Sequence, residues 1–207
     1  MVGAILWNYL SVVFELIGET ISWERWEGTL EYTMMAPVRR YTQLLGTTFY
    51  ALIYGIVQTA VVLTVVTLFY SLDLTHANFG AAALFMALGS ISFVGIGIMA
   101  SVLPLIYVER GSQMVYVVQA TLLLFSGVYY SVEILPEWTQ VVSRFSPATY
   151  VLHGGREALI NDASLGSLFG DVWPLLIMGL IFIPLGVWTF SRAERYAKRT
   201  GKLKRVG

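Results

Sequence analysis

The sequence predicts an all-α protein that crosses a membrane several times, and two observations support this prediction. Of its 207 residues, 57% are apolar and only 13% are charged, whereas about a quarter of the residues of a soluble protein are charged. Apolar stretches long enough for a bilayer core of about 30 Å also recur along the chain. Lipid therefore covers most of the surface, and helices satisfy their own backbone hydrogen bonds there.

Five stretches are predicted as membrane-spanning helices, at residues 2–21, 42–72, 79–107, 112–130 and 172–190. The second is longer than the hydrocarbon core at about 1.5 Å per residue, so we expect it to tilt or protrude. No soluble domain remains once the spans are removed. Residues 1–207 therefore form a single transmembrane domain, which ends in a basic tail at 191–207.

Basic residues indicate the orientation, because Lys and Arg accumulate in cytoplasmic loops. Eleven of the thirteen lie in alternate loops and the tail, whereas the remaining loops hold only Arg144 and Arg156. We therefore predict an inner (plasma) membrane protein with a cytoplasmic C-terminus. Since this orientation puts Met1 outside the cell, we expect a further helix ahead of it and a six-helix subunit as the complete form. A five-span protein is the alternative.

The composition excludes several kinds of chemistry. The chain has no cysteine and two histidines, which excludes disulfides, thiolate catalysis, iron–sulfur clusters and a histidine-rich metal cage. Its zero net charge argues against nucleic acid as a partner. The sequence lacks the G-x-x-x-x-G-K-[ST] phosphate loop. We therefore expect no metal or cofactor on this chain and no ATPase site of its own.

The loop between the first two spans predicts an amphipathic helix. Glu24, Glu27 and Glu31 are spaced to put carboxylates on one helical face, Gly28 permits a bend, and Pro37 ends the helix. The adjoining apolar face comprises Trp23, Trp26, Leu30 and Met34. A helix lying on the inner leaflet is one interpretation. Because that leaflet is negatively charged, the carboxylates favour docking to a basic groove of a protein instead.

Two regions of the sequence resemble the permease subunits of type-2 ATP-binding-cassette (ABC) exporters. The first is the cytoplasmic string Glu24-Arg25-Trp26-Glu27-Gly28-Thr29-Leu30-Glu31, followed by Ala36-Pro37-Val38-Arg39. The second lies between the fourth and fifth spans and includes Gly127, Tyr130, Pro136, Trp138, Pro147, Tyr150 and Arg156. The resemblance implies a cytoplasmic coupling helix and external re-entrant helices. Two interfacial helices are the alternative for the external segment.

Polar side chains within the spans are candidates for a transport path. Gln58 and Gln119 should face protein or water rather than acyl chains. Glu15 and Glu19 lie one turn apart near the cytoplasmic end of the first span, where they could line a path or vestibule or pair with a basic residue on another helix. The alternative is that these carboxylates snorkel to the membrane surface.

The resemblance implies the membrane-spanning subunit of an ATP-driven exporter, which forms the translocation path and is not itself an enzyme. Its implied partners are membrane lipid, an ATPase subunit that holds ATP and Mg, and a second permease subunit in a homodimer or heterodimer. The apolar spans favour a hydrophobic or amphipathic cargo, such as a drug or lipid. Export of a polysaccharide or glycolipid is the alternative. A non-transporting scaffold and an intramembrane enzyme remain open as other classes, although Gly89-Ser90 lacks the Gly-x-Ser-Gly pattern of intramembrane serine proteases.

Overall fold

The structure, a computed structural model, describes residues 2–36, 40–69, 78–130, 132–160 and 166–201. These residues form ten α-helices and a short 3-10 helix at Val132–Ile134, and no strand occurs among them. The helices are α1 (Val2–Gly18), α2 (Thr20–Glu27), α3 (Leu30–Met35), α4 (Arg40–Phe69), α5 (Phe79–Ala100), α6 (Val102–Ile106), α7 (Gly111–Phe125), α8 (Glu137–Ser143), α9 (Pro147–Ile160) and α10 (Phe169–Thr200). The all-α prediction is confirmed.

Several helices are long and apolar enough to cross a membrane. Three candidate spans have the required length and apolar composition. They are α4, α10, and a third span made of α5 and α6 together. Helices α1 and α2 have the required length and apolar composition only when they are taken together, as a pair bent by 46°. Helix α7 has 15 residues and is about 22 Å long, which is shorter than a bilayer core of about 30 Å. The polytopic bundle is confirmed, and the number of five spans stays a prediction.

The boundaries of the spans differ from the predicted ones in three places. The first span ends at Gly18, where the chain bends into α2. The third is interrupted at Ser101, because Pro104 has no N–H to donate to the carbonyl of Ala100. The last helix continues to Thr200, so the predicted basic tail begins as helix. Residues 70–72 of the second span and 202–207 of the tail lie outside the described residues.

Helix α5 forms the centre of the bundle and packs against α1, α9 and α10. Its Phe85 and Phe93 are fully buried. Helix α10 approaches it backbone to backbone, since a Cβ atom on Gly95 would lie 2.5 Å from the carbonyl carbon of Phe182. Two glycines, Gly95 and Gly186, therefore face each other at the α5–α10 contact.

Helix α9 lies along the N-terminal half of α5. Val151 packs at Gly89, and Phe85 packs at Gly154. Just before α5, the N–H of Asn78 donates to the carbonyl of Ala158, near the C-terminal end of α9, at 2.9 Å. Since Gly89 is ten residues beyond the first residue of α5, α9 reaches about 15 Å along that helix. The re-entrant segment stays a prediction, with two interfacial helices as the alternative.

Helix α4 packs mainly on α1. A stripe of small residues makes this contact, comprising Ala51, Gly55 and Thr59, all of which are buried. Gly55 lies against the side chains of Tyr9 and Val13. Most other side chains of α4 are exposed, so the helix presents a long apolar side to its surroundings.

Candidate functional site

The predicted coupling segment folds as two short helices joined at Gly28. Helix α2 ends there because Gly28 adopts a left-handed backbone with φ of 76°, which glycine reaches without steric cost. The N–H of Gly28 donates to the carbonyl of Arg25 at 3.1 Å. The predicted bend is confirmed, whereas Pro37, the predicted end of the helix, lies outside the described residues.

Helix α2 is bound to its neighbours on two sides. Toward α4, Nε2 of Gln43 donates to Oε1 of Glu24 at 2.6 Å. Toward α7, the hydroxyl of Ser112 donates to the hydroxyl of Ser22 at 2.8 Å. The sequence analysis missed Gln43, Ser22 and Ser112, because contacts between residues 19 and 90 positions apart leave no local pattern.

Arg25 connects the coupling segment to the broken third span. Its Nη2 donates to the carbonyl oxygens of Pro104 at 3.3 Å and Leu105 at 3.4 Å. Both carbonyls belong to the last turn of α6, where a helix lacks internal donors and its dipole favours a cation. Burial lowers the pKa of the Arg25 guanidinium, yet an arginine stays charged in proteins. Arg25 therefore acts as a cap that joins α2 to α6.

The apolar residues of the segment divide into two sets. Leu30 and Met34 are buried, as the predicted apolar face requires. Trp23 and Trp26 are exposed instead, and their rings pack edge to face with centroids 6.2 Å apart. The four residues therefore do not form the single apolar face predicted for them, because the bend at Gly28 separates the two pairs.

The three carboxylates of the segment do not share one face, contrary to the prediction. Gly28 breaks the helix between Glu27 and Glu31, so the spacing of four residues no longer stacks their side chains. Glu24 is half-buried against Gln43, whereas Glu27 and Glu31 are exposed. Thr29 precedes α3, is exposed, and donates its hydroxyl to the carbonyl of Glu24 at 3.2 Å.

On the other side of the bundle, Arg156 binds the backbone just beyond the C-terminal end of α7. Its Nη2 donates to the carbonyl of Gly127 at 3.1 Å and to that of Val128. Gly127 has φ of 68°, which turns the chain after α7. The guanidinium also lies against Gly3, where a Cβ atom would require it to shift. The structure thus brings together the predicted Gly127 and Arg156.

The two prolines of the external segment mark where its helices begin. Pro136 immediately precedes α8, and Pro147 is the first residue of α9. A missing N–H has no cost at a helix start, because the first N–H groups have no partner within the helix. Trp138 on α8 is 68% exposed, so it makes little contact within this chain.

Two tyrosines of the same segment stabilise its turns. The phenol of Tyr130 donates to the carbonyl of Leu124. The phenol of Tyr150 donates to the carbonyl of Arg144 at 2.9 Å. Each reaches a carbonyl six residues earlier in the chain, which fixes the route of the backbone between neighbouring helices.

A hydrogen bond joins the external segment to the last span. Nδ1 of His153 lies 2.7 Å from Oδ2 of Asp171, in the first turn of α10. The sequence analysis did not predict this pair, since the two residues belong to different helices. His153 also lines a cavity of about 440 Å³ together with Arg156 and Asp171.

The residues predicted for a path lie around α1. Oε1 of Glu15 accepts a hydrogen bond from the phenol of Tyr116 on α7 at 3.3 Å. Glu19 is only 5% exposed, which argues against snorkelling of this carboxylate to water. Gln58 on α4 and Gln119 on α7 are half-buried. Three of the residues belong to adjacent helices, since α4 and α7 both pack on α1, and Glu19 lies at the bend between α1 and α2.

A cavity of about 640 Å³ lies between the α1–α2 bend and the start of α4. Its described lining residues are Glu15, Leu16, Thr20, Trp23, Glu24, Glu27, Gly46, Thr47 and Tyr50. Carboxylates and aromatic rings therefore share one cavity, which connects the coupling segment with the predicted vestibule residue Glu15.

Comparison with known proteins identifies the family of the chain. Residues 1–160 match the family described as ABC-2 type transporter. The chain is also similar to the probable multidrug ABC transporter permease YbhR of Escherichia coli K12 and of Escherichia coli O157:H7, with 27% identity over 162 residues in each case. Those residues cover 77% of this chain and 43% of each relative, so the match spans less than half of the relatives' length. The family match includes the coupling segment, the external segment and four of the predicted spans, and the chain belongs to the ABC-2 type transporter family.

Proposed function

We propose that the chain is the membrane-spanning subunit of an ATP-driven exporter, and that α2 and α3 receive motion from a separate ATPase subunit. The observation that carries this proposal is an exposed surface on these two helices, here named the coupling surface, formed by Trp26, Glu27, Glu31, Tyr32 and Met35. Large exposed apolar side chains with a charged rim are typical of protein interfaces. An ATPase subunit with a basic groove fits this surface.

The coupling surface is connected to the spans by several contacts at once. Glu24 binds α4, Arg25 binds α6, and Leu30 belongs to the buried core. A displacement of α2 therefore moves these spans with it. When ATP and Mg close the partner ATPase, the closed form shifts the membrane helices to whichever arrangement it binds more tightly.

A second permease subunit, identical or related, completes the transport path. Helix α7 exposes Gln113, Tyr116 and Thr121, and polar side chains at membrane depth face protein or water rather than lipid. We place the path along α1 and α7, with Glu15 and Glu19 at its cytoplasmic end. In this arrangement the protein lies in the inner membrane with its C-terminus in the cytoplasm.

The cargo in this proposal is a hydrophobic or amphipathic compound, such as a drug or a lipid. The described candidate spans are mostly apolar. The similar Escherichia coli proteins are named as probable multidrug permeases, which is consistent with a compound of this class.

Reversing the charge of Glu31 tests the coupling role. Glu137 is a matched control for Glu31. Both are exposed acids in the first turn of a short helix, Glu31 in α3 and Glu137 in α8. Glu31→Arg should abolish ATP-driven export, since it puts a cation where a basic partner surface binds. Glu137→Arg should retain export.

Export is measured in inverted vesicles that contain the complete complex, and membrane insertion is checked by protein level in the membrane fraction. Gly28→Pro serves as a second variant, because it removes the bend between α2 and α3. Full export by both Glu31→Arg and Gly28→Pro would show that α2 and α3 are not the coupling element.

A further inference from the structure

One exposed side of α10 changes in chemistry along the helix. Six exposed residues recur there at alternating spacings of four and three, namely Ile181, Leu185, Trp188, Arg192, Arg195 and Arg199. Residues at these spacings share one face of an α-helix, here named the exposed face of α10. This face is apolar at first, aromatic in the middle and basic at its C-terminal end.

The opposite side of α10 packs within the bundle. Phe190, Ala193 and Ala197 are buried there. Glu194 is also buried, and its Oε1 lies 2.7 Å from Nζ of Lys198. This acid therefore pairs with a lysine away from the exposed face, and it leaves the positive charge of the three arginines in place.

Arg192 is held next to Trp188. Its Cζ lies 5.0 Å from the centroid of the indole ring, which is within the range of a cation–π interaction. A guanidinium meets an aromatic ring through its planar face, and its N–H donors point outward in that plane. Such a fork of donors binds a phosphate group in a bidentate manner.

The position of Arg192 along α10 suits the phosphates of a bilayer. Trp side chains concentrate at the level of the lipid headgroups. Arg192 lies four residues beyond Trp188, which is about 6 Å along the helix axis. The headgroup layer on each side of the hydrocarbon core is about 5–7 Å thick. Arg195 and Arg199 lie farther along the same face, where they add positive charge.

The apolar part of the exposed face distinguishes a lipid from other anions. Ile181 and Leu185 are 53% and 42% exposed and belong to a candidate membrane span. A phospholipid combines acyl chains with a phosphate in the same order as the residues of this face. A free phosphate ion or a soluble protein would match only its basic end.

We propose that the exposed face of α10 binds an anionic phospholipid. The lipid phosphate accepts hydrogen bonds from the guanidinium of Arg192, and the acyl chains pack along Leu185 and Ile181. In the orientation proposed above, this lipid belongs to the inner leaflet, which is negatively charged. The site requires neither cargo nor the ATPase subunit.

Lipid binding to the delipidated full chain in dodecylmaltoside tests the site. The chain is titrated with phosphatidylglycerol or with phosphatidylcholine of the same acyl chains, and bound lipid is counted by native mass spectrometry. We expect phosphatidylglycerol to bind about tenfold more tightly, because the choline group neutralises the phosphate beside it.

Arg192→Gln should weaken phosphatidylglycerol binding about tenfold and leave phosphatidylcholine binding within about twofold of the parent. Phosphatidylcholine thus reports whether the variant is folded. Arg110→Gln is the matched control, because Arg110 is an exposed arginine beside exposed Glu109 in the loop before α7. It should keep the preference of the parent.

Arg192→Lys separates a built site from general attraction of charge. Lysine keeps the charge but lacks the planar fork, so phosphatidylglycerol should bind about threefold more weakly than to the parent. Inorganic phosphate should not displace the lipid, because it has no acyl chains to pack on Leu185 and Ile181.

Five results would overturn the proposal. Equal affinity of the parent for the two lipids would remove the headgroup preference, and an equal loss of both lipids in Arg192→Gln would contradict a headgroup contact. Parent-like binding by Arg192→Lys would show that charge alone is responsible. Displacement by inorganic phosphate would identify a free anion as the ligand. Loss of copurifying ATPase in Arg192→Gln, with lipid binding unchanged, would identify a protein as the occupant. Since the lipid titrations contain no nucleotide, their outcomes are independent of the Glu31→Arg export test.

Discussion

Two arginines, one near each end of the bundle, perform the same structural task. Arg25 donates to carbonyls at the end of α6, and Arg156 donates to carbonyls just beyond α7. Carbonyls at a helix end have no donor within the helix, so a side chain or water must supply one. Each arginine therefore fixes how one helix ends and how the next segment of chain leaves it.

Arg156→Ala should destabilise the protein, because it leaves the carbonyls of Gly127 and Val128 without this donor. Both residues are buried, and an unsatisfied buried polar group costs about 1–3 kcal/mol. The unfolding temperature of the detergent-solubilised protein is the measurement. Arg195→Ala is the control, since Arg195 is exposed and donates within its own helix to the carbonyl of Ser191. Equal unfolding temperatures in the two variants would contradict this role of Arg156.

At the residue scale, the sequence identified side chains but not their partners. The two segments that resemble type-2 exporter permeases identified Glu24, Arg25 and Arg156 as candidate functional residues. The partners of Arg156 lie 28 and 29 residues away, and the two carbonyls that Arg25 binds lie 79 and 80 residues away. A backbone carbonyl has no signature in a sequence, so these contacts were invisible before the structure.

At the scale of helices, the contact between α5 and α10 depends on glycine. Gly95 and Gly186 bring the two backbones together, and a Cβ atom on Gly186 would lie 2.7 Å from the carbonyl oxygen of Gly95. Small residues allow such close approach between membrane helices. Because α5 is the central helix, this contact positions α10 relative to the whole bundle.

Gly95→Ala should therefore force α5 and α10 apart. Overpacking of this kind costs about 1–3 kcal/mol, and it is measured as a lower unfolding temperature in detergent. Gly170→Ala is a matched control on α10, since a Cβ atom at Gly170 meets nothing within 4 Å. That control should change stability by no more than about 0.5 kcal/mol. If Gly95→Ala lowered the stability no more than Gly170→Ala does, the close backbone contact would be ruled out.

Helix positions were more predictable than helix ends. Hydropathy located α4, α5, α7 and α10, because an apolar run of suitable length is itself the signal. It did not locate the bend after Gly18 or the break at Ser101, since neither interrupts the apolar run. The predicted single amphipathic helix became α2 and α3 because Gly28 adopts a positive φ. Glycine permits that conformation without requiring it.

At the scale of the whole molecule, the chain presents more apolar surface than its own helices cover. Helix α4 packs mainly on α1, and its outward side exposes large residues such as Phe49, Ile53 and Val57. Lipid and a second subunit are the two surroundings that suit such a surface. The coupling surface differs from it because charged Glu27 and Glu31 lie among its aromatic residues, a combination that is typical of protein interfaces.

The central claim is that the coupling surface touches an ATPase subunit on the cytoplasmic side. A photo-crosslinking amino acid at Tyr32, which is 80% exposed, tests it in native membranes, with the same group at Trp138 as the external control. We expect Tyr32 to crosslink to an ATP-binding chain and Trp138 to give no such product. Crosslinks from Tyr32 to lipid alone, in membranes that still export cargo, would contradict the account.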